Sequence, residues 1–369
     1  MDRIMISGVS SGCGKTTVVC AVLQALVNRG LKTGAFKCGL DYIDPMFHSR
    51  IIGAKSANLD LHFFSENTLR FLLAKNAAGC DVSVIEGAMG FYDGAGLTTW
   101  KTSAYELALI TKTPVVLVVN ARGAALSVLA VIEGFLRFRP ESGIRGVILN
   151  QCTAMTYASL SAAIEERFGI RCFGFLPRLD GCVLESRHLG LVTAGEIRDL
   201  REKMQTLAAQ AEKTLDIDAL LALAHEAEPL DYTPAVLPKK EKIRLAVARD
   251  NAFCFYYEDS LDAVREMGGE LVPFSPITDG ALPENIDGLY LGGGYPELYA
   301  KELGENASMR ASVRAALERG LPCIAECGGF MYLTSAIAGR AMAGFFPGGC
   351  FDAGKLTRFG YLTLTAQRD

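Results

Sequence analysis

The run RIMISG, residues 3 to 8, passes directly into GVSSGCGKTT, Gly8 to Thr17, and from there into a helix-like stretch. A buried strand, a glycine-rich turn and a helix in that order leave few folds open. A strand this continuously apolar is covered on both faces, which is the habit of parallel sheets flanked by helices. Gly12 and Gly14 let backbone N–H groups approach phosphate oxygens, and the start of the helix adds its partial positive charge. Lys15 is placed to reach the β and γ phosphates and Thr16 to hold a magnesium ion. With Cys13 and Thr17 these residues form the expected ATP site.

The first glycine, Gly8, precedes Gly14 by six positions, one more than the usual phosphate-loop spacing. The longer loop, with Ser10 and Ser11 inside it, resembles that of dethiobiotin synthetase and of the cobyrinic and cobyric acid amidating enzymes. In the partition and division-site ATPases a signature lysine would fall at Ser10, so a dimerising ATPase switch is disfavoured.

Short apolar runs continue to alternate with helical stretches up to about residue 176: LKTGAFK, DVSVIEG, TPVVLVVN, IRGVILN and RCFGFLP read as buried strands. Residues 192–225 carry helical apolar spacing and close a first domain, 1–225. The stretch 226–242 has three prolines, clustered charge and no periodicity, and reads as a linker. Alternation then restarts, and residues 243–369 read as a second α/β domain. The formal charge of −4, with both signs interspersed, offers no basic stripe for nucleic acid. No run approaches the ~18 apolar residues needed to cross a bilayer, so the expectation is a cytoplasmic protein without a membrane partner. The eleven cysteines are scattered, without a CxxC pair, which points away from disulfides and zinc.

Just beyond the end of the second strand lies KCGLDYIDPMFH, Lys37 to His48, where open parallel sheets bind ligands. Asp41, Asp44 and Lys37 could converge on the γ-phosphate side of the nucleotide, with Pro45 stiffening the loop. Equally, one aspartate could cap a helix and the other be solvated. Glu86 leaves an apolar strand and is the better second magnesium ligand beside Thr16, with Asp44. Asp93, on a glycine-bearing loop, suits substrate positioning or proton transfer. Asn150 ends its strand, where its amide could read an adenine edge or simply terminate the strand.

In the second domain the stretch AECGGFMYL places Cys327 before Gly328 and Gly329, at a strand-to-helix turn of nucleophile-elbow type. YLGGGYPE, 290 to 297, supplies Gly292, Gly293 and Gly294, whose amides with that of Gly328 could form an oxyanion hole. A buried structural cysteine is the alternative.

FKCGLDYIDPMFH, EGAMGFYDG, LESRHLGLVTAGE, LYLGGGYPELYAKEL and CIAECGGFMYL together resemble the cobyrinic acid a,c-diamide synthases, glutamine-dependent amidating enzymes of corrinoid synthesis, over essentially the whole chain. The resemblance implies a P-loop domain with a mainly parallel sheet, followed by a class I glutamine amidotransferase domain. It implies ATP-dependent, Mg²⁺-assisted amidation of the a and c carboxylates of cobyrinic acid. Asp41, Asp44, Glu86 and Asp93 fall on the family's acidic positions. Arg187 and His188 fall on its RHLG motif and, with Tyr42, are the expected substrate contacts. Glutamine or ammonia would supply nitrogen, and the chain could assemble as a homodimer.

The four histidines, His48, His62, His188 and His225, all precede the linker's prolines. In the resembled family the histidine partner of the cysteine lies further along than residue 369. The expectation is therefore a truncated reading frame lacking roughly ~60 to 100 residues of an ordinary-sized second domain, and an incomplete triad. Two other readings stay open: diamidation of another tetrapyrrole, such as hydrogenobyrinic acid or nickel sirohydrochlorin, and an ATPase switch carrying a non-catalytic glutaminase-like module.

Overall fold

The computed structural model describes residues 1–182, 194–240, 242–354 and 365. Arg187 and His188 lie outside the described residues. The chain divides into two units, Met1–Ala235 and Val236–Asp369.

Seven strands form the sheet of the first unit: β1 (Arg3–Gly8), β2 (Thr33–Cys38), β3 (Lys55–Leu59), β4 (Val82–Glu86), β5 (Val115–Asn120), β6 (Ile144–Asn150) and β7 (Arg171–Leu176). Their order is β3-β2-β4-β1-β5-β6-β7, and neighbouring strands run parallel. The apolar runs split residue by residue between two cores. Ile4, Ile6, Val116, Val118 and Ile148 face the helices Lys15–Asn28, Ala194–Thr214 and Ile217–His225. Met5, Val115, Leu117, Val147 and Leu149 face the opposite layer, with the helices Glu66–Ala77, Ala104–Ile110, Ser127–Phe138 and Ala154–Phe168. Burial on both faces is why these strands read as unbroken apolar runs rather than alternating ones.

Two elements differ from the sequence expectation. β3 has the sequence KSANL and is half exposed at the sheet edge, so it lacks the apolar signature of its neighbours. Residues 43–52, expected as a stiffened loop, form a short helix, Ile43–Phe47, and a π-helical turn, His48–Ile52. Asp41 starts this segment: its Oδ1 accepts from Ile43 N–H at 2.8 Å and from Asp44 N–H at 3.1 Å. Pro45 falls in the first turn, where a missing N–H breaks no helical hydrogen bond.

Part of the proline-bearing stretch after residue 225 is bonded to the first unit. Leu230 packs on its core. Thr233 and Asn67 exchange two hydrogen bonds, at 2.9 and 2.7 Å. The anchor at the other end is Arg3, only 1% exposed, whose guanidinium donates to the carbonyls of Thr111 at 2.7 Å and Glu228 at 2.5 Å and to Thr113 Oγ1 at 3.2 Å. Burial brings this arginine down to about 10. Arg3→Met would keep the stem and strand those acceptors, so we expect a loss of about 2–4 kcal/mol, read by urea unfolding; a change within about 0.5 kcal/mol, the scatter of neutral surface sites, would contradict the anchoring role.

The second unit has a four-stranded parallel sheet, built from β8 (Arg244–Ala248), β10 (Glu270–Phe274), β11 (Gly288–Leu291) and β13 (Cys323–Ala325) in the order β10-β8-β11-β13. Beside it, β9 (Phe253–Phe255) pairs antiparallel with β12 (Gly293–Gly294). Leu289, Leu291, Met309, Val313 and Tyr332 centre its core. Among the described residues no helix is long and apolar enough to cross a membrane.

Candidate active site

In the first unit the site gathers where β1, β2 and β4 end. Lys37 on β2 is in register with Glu86 on β4, and Glu86 is in turn level with Ile6 on β1. That register brings Lys37 Nζ to 2.9 Å from Glu86 Oε1. The segment opened by Asp41 folds back over the same point and sets Asp44 Oδ2 2.6 Å from Lys37 Nζ, with Asp41 Oδ2 at 4.0 Å. From the neighbouring strand β3, Asn58 Nδ2 donates to the carbonyls of Gly39, at 3.1 Å, and Asp41, at 2.7 Å, which holds the turn in place.

The phosphate loop meets this cluster through Thr16, whose Oγ1 donates to Glu86 Oε1 at 2.7 Å. Gly14 has φ +94°, and a Cβ there would lie 1.9 Å from Asn150 Nδ2, so only glycine fits. Asn150 Nδ2 donates to the Cys13 carbonyl at 2.9 Å. One N–H of the Asn150 amide thus braces the loop, while its second N–H and its Oδ1 stay available to a base edge at the cavity surface. Cys13 is buried, and a Cβ on Gly8 would come within 2.3 Å of its Sγ. Lys15 Nζ donates to the Ser10 carbonyl at 3.1 Å, within the loop itself.

Gly12, Gly14, Lys15, Thr16 and Thr17 line one wall of a cavity of about 590 Å³. Asp41, Ile43 and Asp44 line another; Arg122, Asn150 and Gln151 are also on its surface. Asp93 keeps its carboxylate on its own loop, where Oδ2 accepts from Gly90 N–H at 2.8 Å; burial lowers the pKa of Lys15, and the nearby Asp93 offsets part of that. Tyr42 is half-buried on the turn between the two aspartates.

Electrostatics separates the two aspartates. Burial, reinforced by the Asp44 carboxylate, pushes Asp41 up to about 6. Burial acts on Asp44 in the same sense, but the Lys37 ammonium overrides it and holds Asp44 below the ordinary carboxylate range. Lys37 itself is desolvated, yet Glu86 and Asp44 raise it, so it stays charged. One ammonium is therefore shared by three carboxylates, and Lys37 is engaged before any phosphate arrives.

His48, which the sequence reading left without a role, is wholly buried with its Nε2 3.5 Å from Glu86 Oε2. Burial lowers its pKa, so the ring is neutral and carries a single N–H. The signal that could have exposed it is its position four residues after Asp44, on the helical turn that Asp41 starts.

In the second unit Cys327 is exposed and stands at φ 49°, ψ −111°, between β13 and the helix Gly328–Leu333. This is a strained backbone for a residue with a Cβ, and it is the strand-to-helix corner expected of a nucleophile elbow. The two glycines behind it have separate tasks. A Cβ on Gly329 would meet the Leu291 carbonyl oxygen at 2.1 Å, and one on Gly328 would meet Pro296 Cδ at 2.8 Å and Gly294 N at 3.3 Å. A Cβ on Gly293 would lie 3.4 Å from that of Cys327. Gly293, Gly294 and Gly328 are thus gathered round the thiol-bearing corner. Gly292 N–H is taken by Tyr256 Oη at 2.9 Å, and Tyr256 donates in turn to the Ala248 carbonyl. None of the four histidines of the 369-residue chain lies beyond His225.

A phosphate loop facing a carboxylate cluster, with a cysteine elbow in a separate unit, defines a nucleotide-dependent ligase of the glutamine amidotransferase class. Two family models match in the same arrangement: the CobQ/CobB/MinD/ParA nucleotide binding domain over residues 4–191 and the CobB/CobQ-like glutamine amidotransferase domain over residues 244–348. The cobyrinate a,c-diamide synthase of Clostridium acetobutylicum is 42% identical over 371 residues, covering 100% of this chain and 84% of that protein. That of Listeria innocua is 42% identical over 369 residues, covering 98% of this chain and 81% of the other. The chain belongs to the cobyrinate a,c-diamide synthase family.

Proposed function

We propose that the first unit activates the a and c carboxylates of cobyrinic acid as acyl phosphates with ATP, and that ammonia, free or released from glutamine, converts them to amides in corrinoid synthesis. The observation that carries this reading is the shared cavity, where Lys15 and Thr16 face Asp41 and Asp44. A carboxylate is a poor electrophile and needs a leaving group. Its oxygen attacks the γ-phosphorus as ADP leaves; ammonia then attacks the acyl carbon, phosphate departs, and a carboxylate takes the surplus proton. Asp41, raised towards neutrality, is the better proton acceptor; Asp44, held ionised, suits a metal. Asp93 is retained as a substrate-positioning candidate and Tyr42 as a substrate contact.

Among the described residues no group of three or more His, Cys, Asp or Glu side chains is arranged to hold a metal. The Thr16 hydroxyl with Glu86 and Asp44 is an all-oxygen donor set, which fits Mg²⁺, an ion usually bound by one or two carboxylates plus substrate phosphates. When bound there, Mg²⁺ would offset the charge of the phosphates. The cysteines are all free, in keeping with a cytoplasmic setting.

In the second unit Cys327 is the proposed glutaminase nucleophile, with the amides of Gly293, Gly294 and Gly328 as its oxyanion donors. For a protein of these 369 residues, ammonium should support ATP-dependent amidation well and glutamine poorly, because the second unit holds no histidine to take the thiol proton. Steady-state rates with each donor check this; equal rates would show that another group supplies the base. ATP turnover should depend on cobyrinic acid together with ammonium. Brisk turnover without either, and no amide formed, would contradict the ligase reading.

The raised Asp41 also makes a prediction about stability. A carboxyl whose folded pKa is about 6, against 3.8, binds its proton more tightly in the folded chain. Its contribution to stability is complete below the lower value and is lost as pH rises through the higher one. Asp41→Asn keeps the capping oxygen and cannot ionise. Without nucleotide, it should raise Tm by a few degrees, about 3–6 °C, at pH 8 and leave it nearly unchanged at pH 4. An equal shift at both pH values would contradict the assignment.

A further inference from the structure

We propose that Arg122 receives a carboxylate of the tetrapyrrole, on the side of the cavity away from the acidic cluster. This assignment rests on the amidation reading above. Lys37 had the natural claim to neutralise an incoming anion, but its Nζ is already 2.6 Å from Asp44 and 2.9 Å from Glu86. Three carboxylates against one ammonium leave that wall two charges negative, and one divalent ion brings it only to neutrality. A polycarboxylate approaching from there would meet repulsion, and its partner in the reaction, the terminal phosphate, is an anion as well.

The other cations on the cavity surface are also accounted for. Arg178 pairs with Asp180 at 3.0 Å, and Lys15 belongs to the phosphate loop. Arg122 differs. It lies two residues beyond the end of β5, the neighbour of β1, and it lines the cavity. Its backbone N–H is fixed by Asn120 Oδ1 at 3.0 Å, while its guanidinium has no hydrogen bond or ion pair among the described residues. A planar guanidinium with a free face matches a carboxylate bidentately, which an ammonium cannot do. Placed on a cavity that also holds the phosphate loop, it would hold one acidic arm of the substrate while another reaches the γ-phosphate.

The test is equilibrium binding of cobyrinic acid, followed by its own absorbance, to wild-type protein and to Arg122→Gln and Arg122→Lys, with affinity for a fluorescent ATP analogue measured beside it. Arg122→Gln should weaken cobyrinic acid binding at least about tenfold, the scale of one lost charge-assisted contact, and Arg122→Lys should restore part of it. Nucleotide affinity should stay within about twofold, which also shows that the exposed substitution leaves the unit folded. An unchanged cobyrinic acid affinity, or a nucleotide affinity that falls as far, would overturn the assignment, the second by giving Arg122 to the phosphates. Wild-type turnover judges the amidation reading separately: a protein that binds the tetrapyrrole through Arg122 yet forms no amide would sink that reading and leave this one standing.

Discussion

Glu86→Gln should reduce ATP-dependent amidation by about 10³-fold, several kcal/mol of lost charge stabilisation. Glu86 is 0% exposed, accepts from Thr16 Oγ1 at 2.7 Å and lies 2.9 Å from Lys37 Nζ and 3.5 Å from His48 Nε2. Its carboxylate joins Thr16 of the phosphate loop to Lys37 of the acidic wall. Glutamine has nearly the same shape, so the fold persists. Its Oε1 can still accept from Lys37 and Thr16, but the negative charge that offsets Lys37 and would hold a metal is gone. Nucleotide without metal should still bind, because the loop amides and Lys15 are untouched. Steady-state kinetics beside nucleotide titration separates the two effects; activity within a factor of about ten of wild type would remove Glu86 from the reaction centre.

Gly329→Ala should destabilise the second unit by about 3 kcal/mol, at the upper end for an overpacked site, without touching the chemistry of the first. The added Cβ would fall 2.1 Å from the Leu291 carbonyl oxygen and 2.6 Å from its carbon. These are backbone atoms of a central strand, so nothing can rotate aside. Either the elbow helix lifts off β11 or the strand bends. Gly328→Ala meets the softer edge of Pro296 and should cost less stability, while shifting the amide assigned to the oxyanion hole. Thermal unfolding of the two variants should rank them in that order. The reverse order would mean that the close approach at Gly329 does not seat the elbow.

Much of this arrangement could be read from the chain because the chemistry is local. The phosphate loop needs glycine at positions 12 and 14, directly between a strand and a helix, and the elbow needs glycine directly after Cys327. Lys37, Asp41 and Asp44 sit within one short segment, and Glu86 ends an apolar strand, so their convergence followed from strands that run parallel. What the sequence left unsaid is register and partnership. That Lys37 lies level with Glu86, and is engaged by it, depends on β2 pairing with β4, which no single segment encodes. His48 looked like one of four histidines until a π-helical turn brought it beside Glu86. Asn150 ended a strand in either reading, and only the fold shows its amide bonded to the Cys13 carbonyl. β3 was missed because an exposed edge strand needs few apolar residues.

The most direct test of the account is mass spectrometry of the products formed from cobyrinic acid, MgATP and an ammonium salt by the purified chain, with ADP measured in the same samples. Monoamide and then a,c-diamide should form, with one ADP released for each amide. ATP consumed with no change in the mass of cobyrinic acid would contradict it.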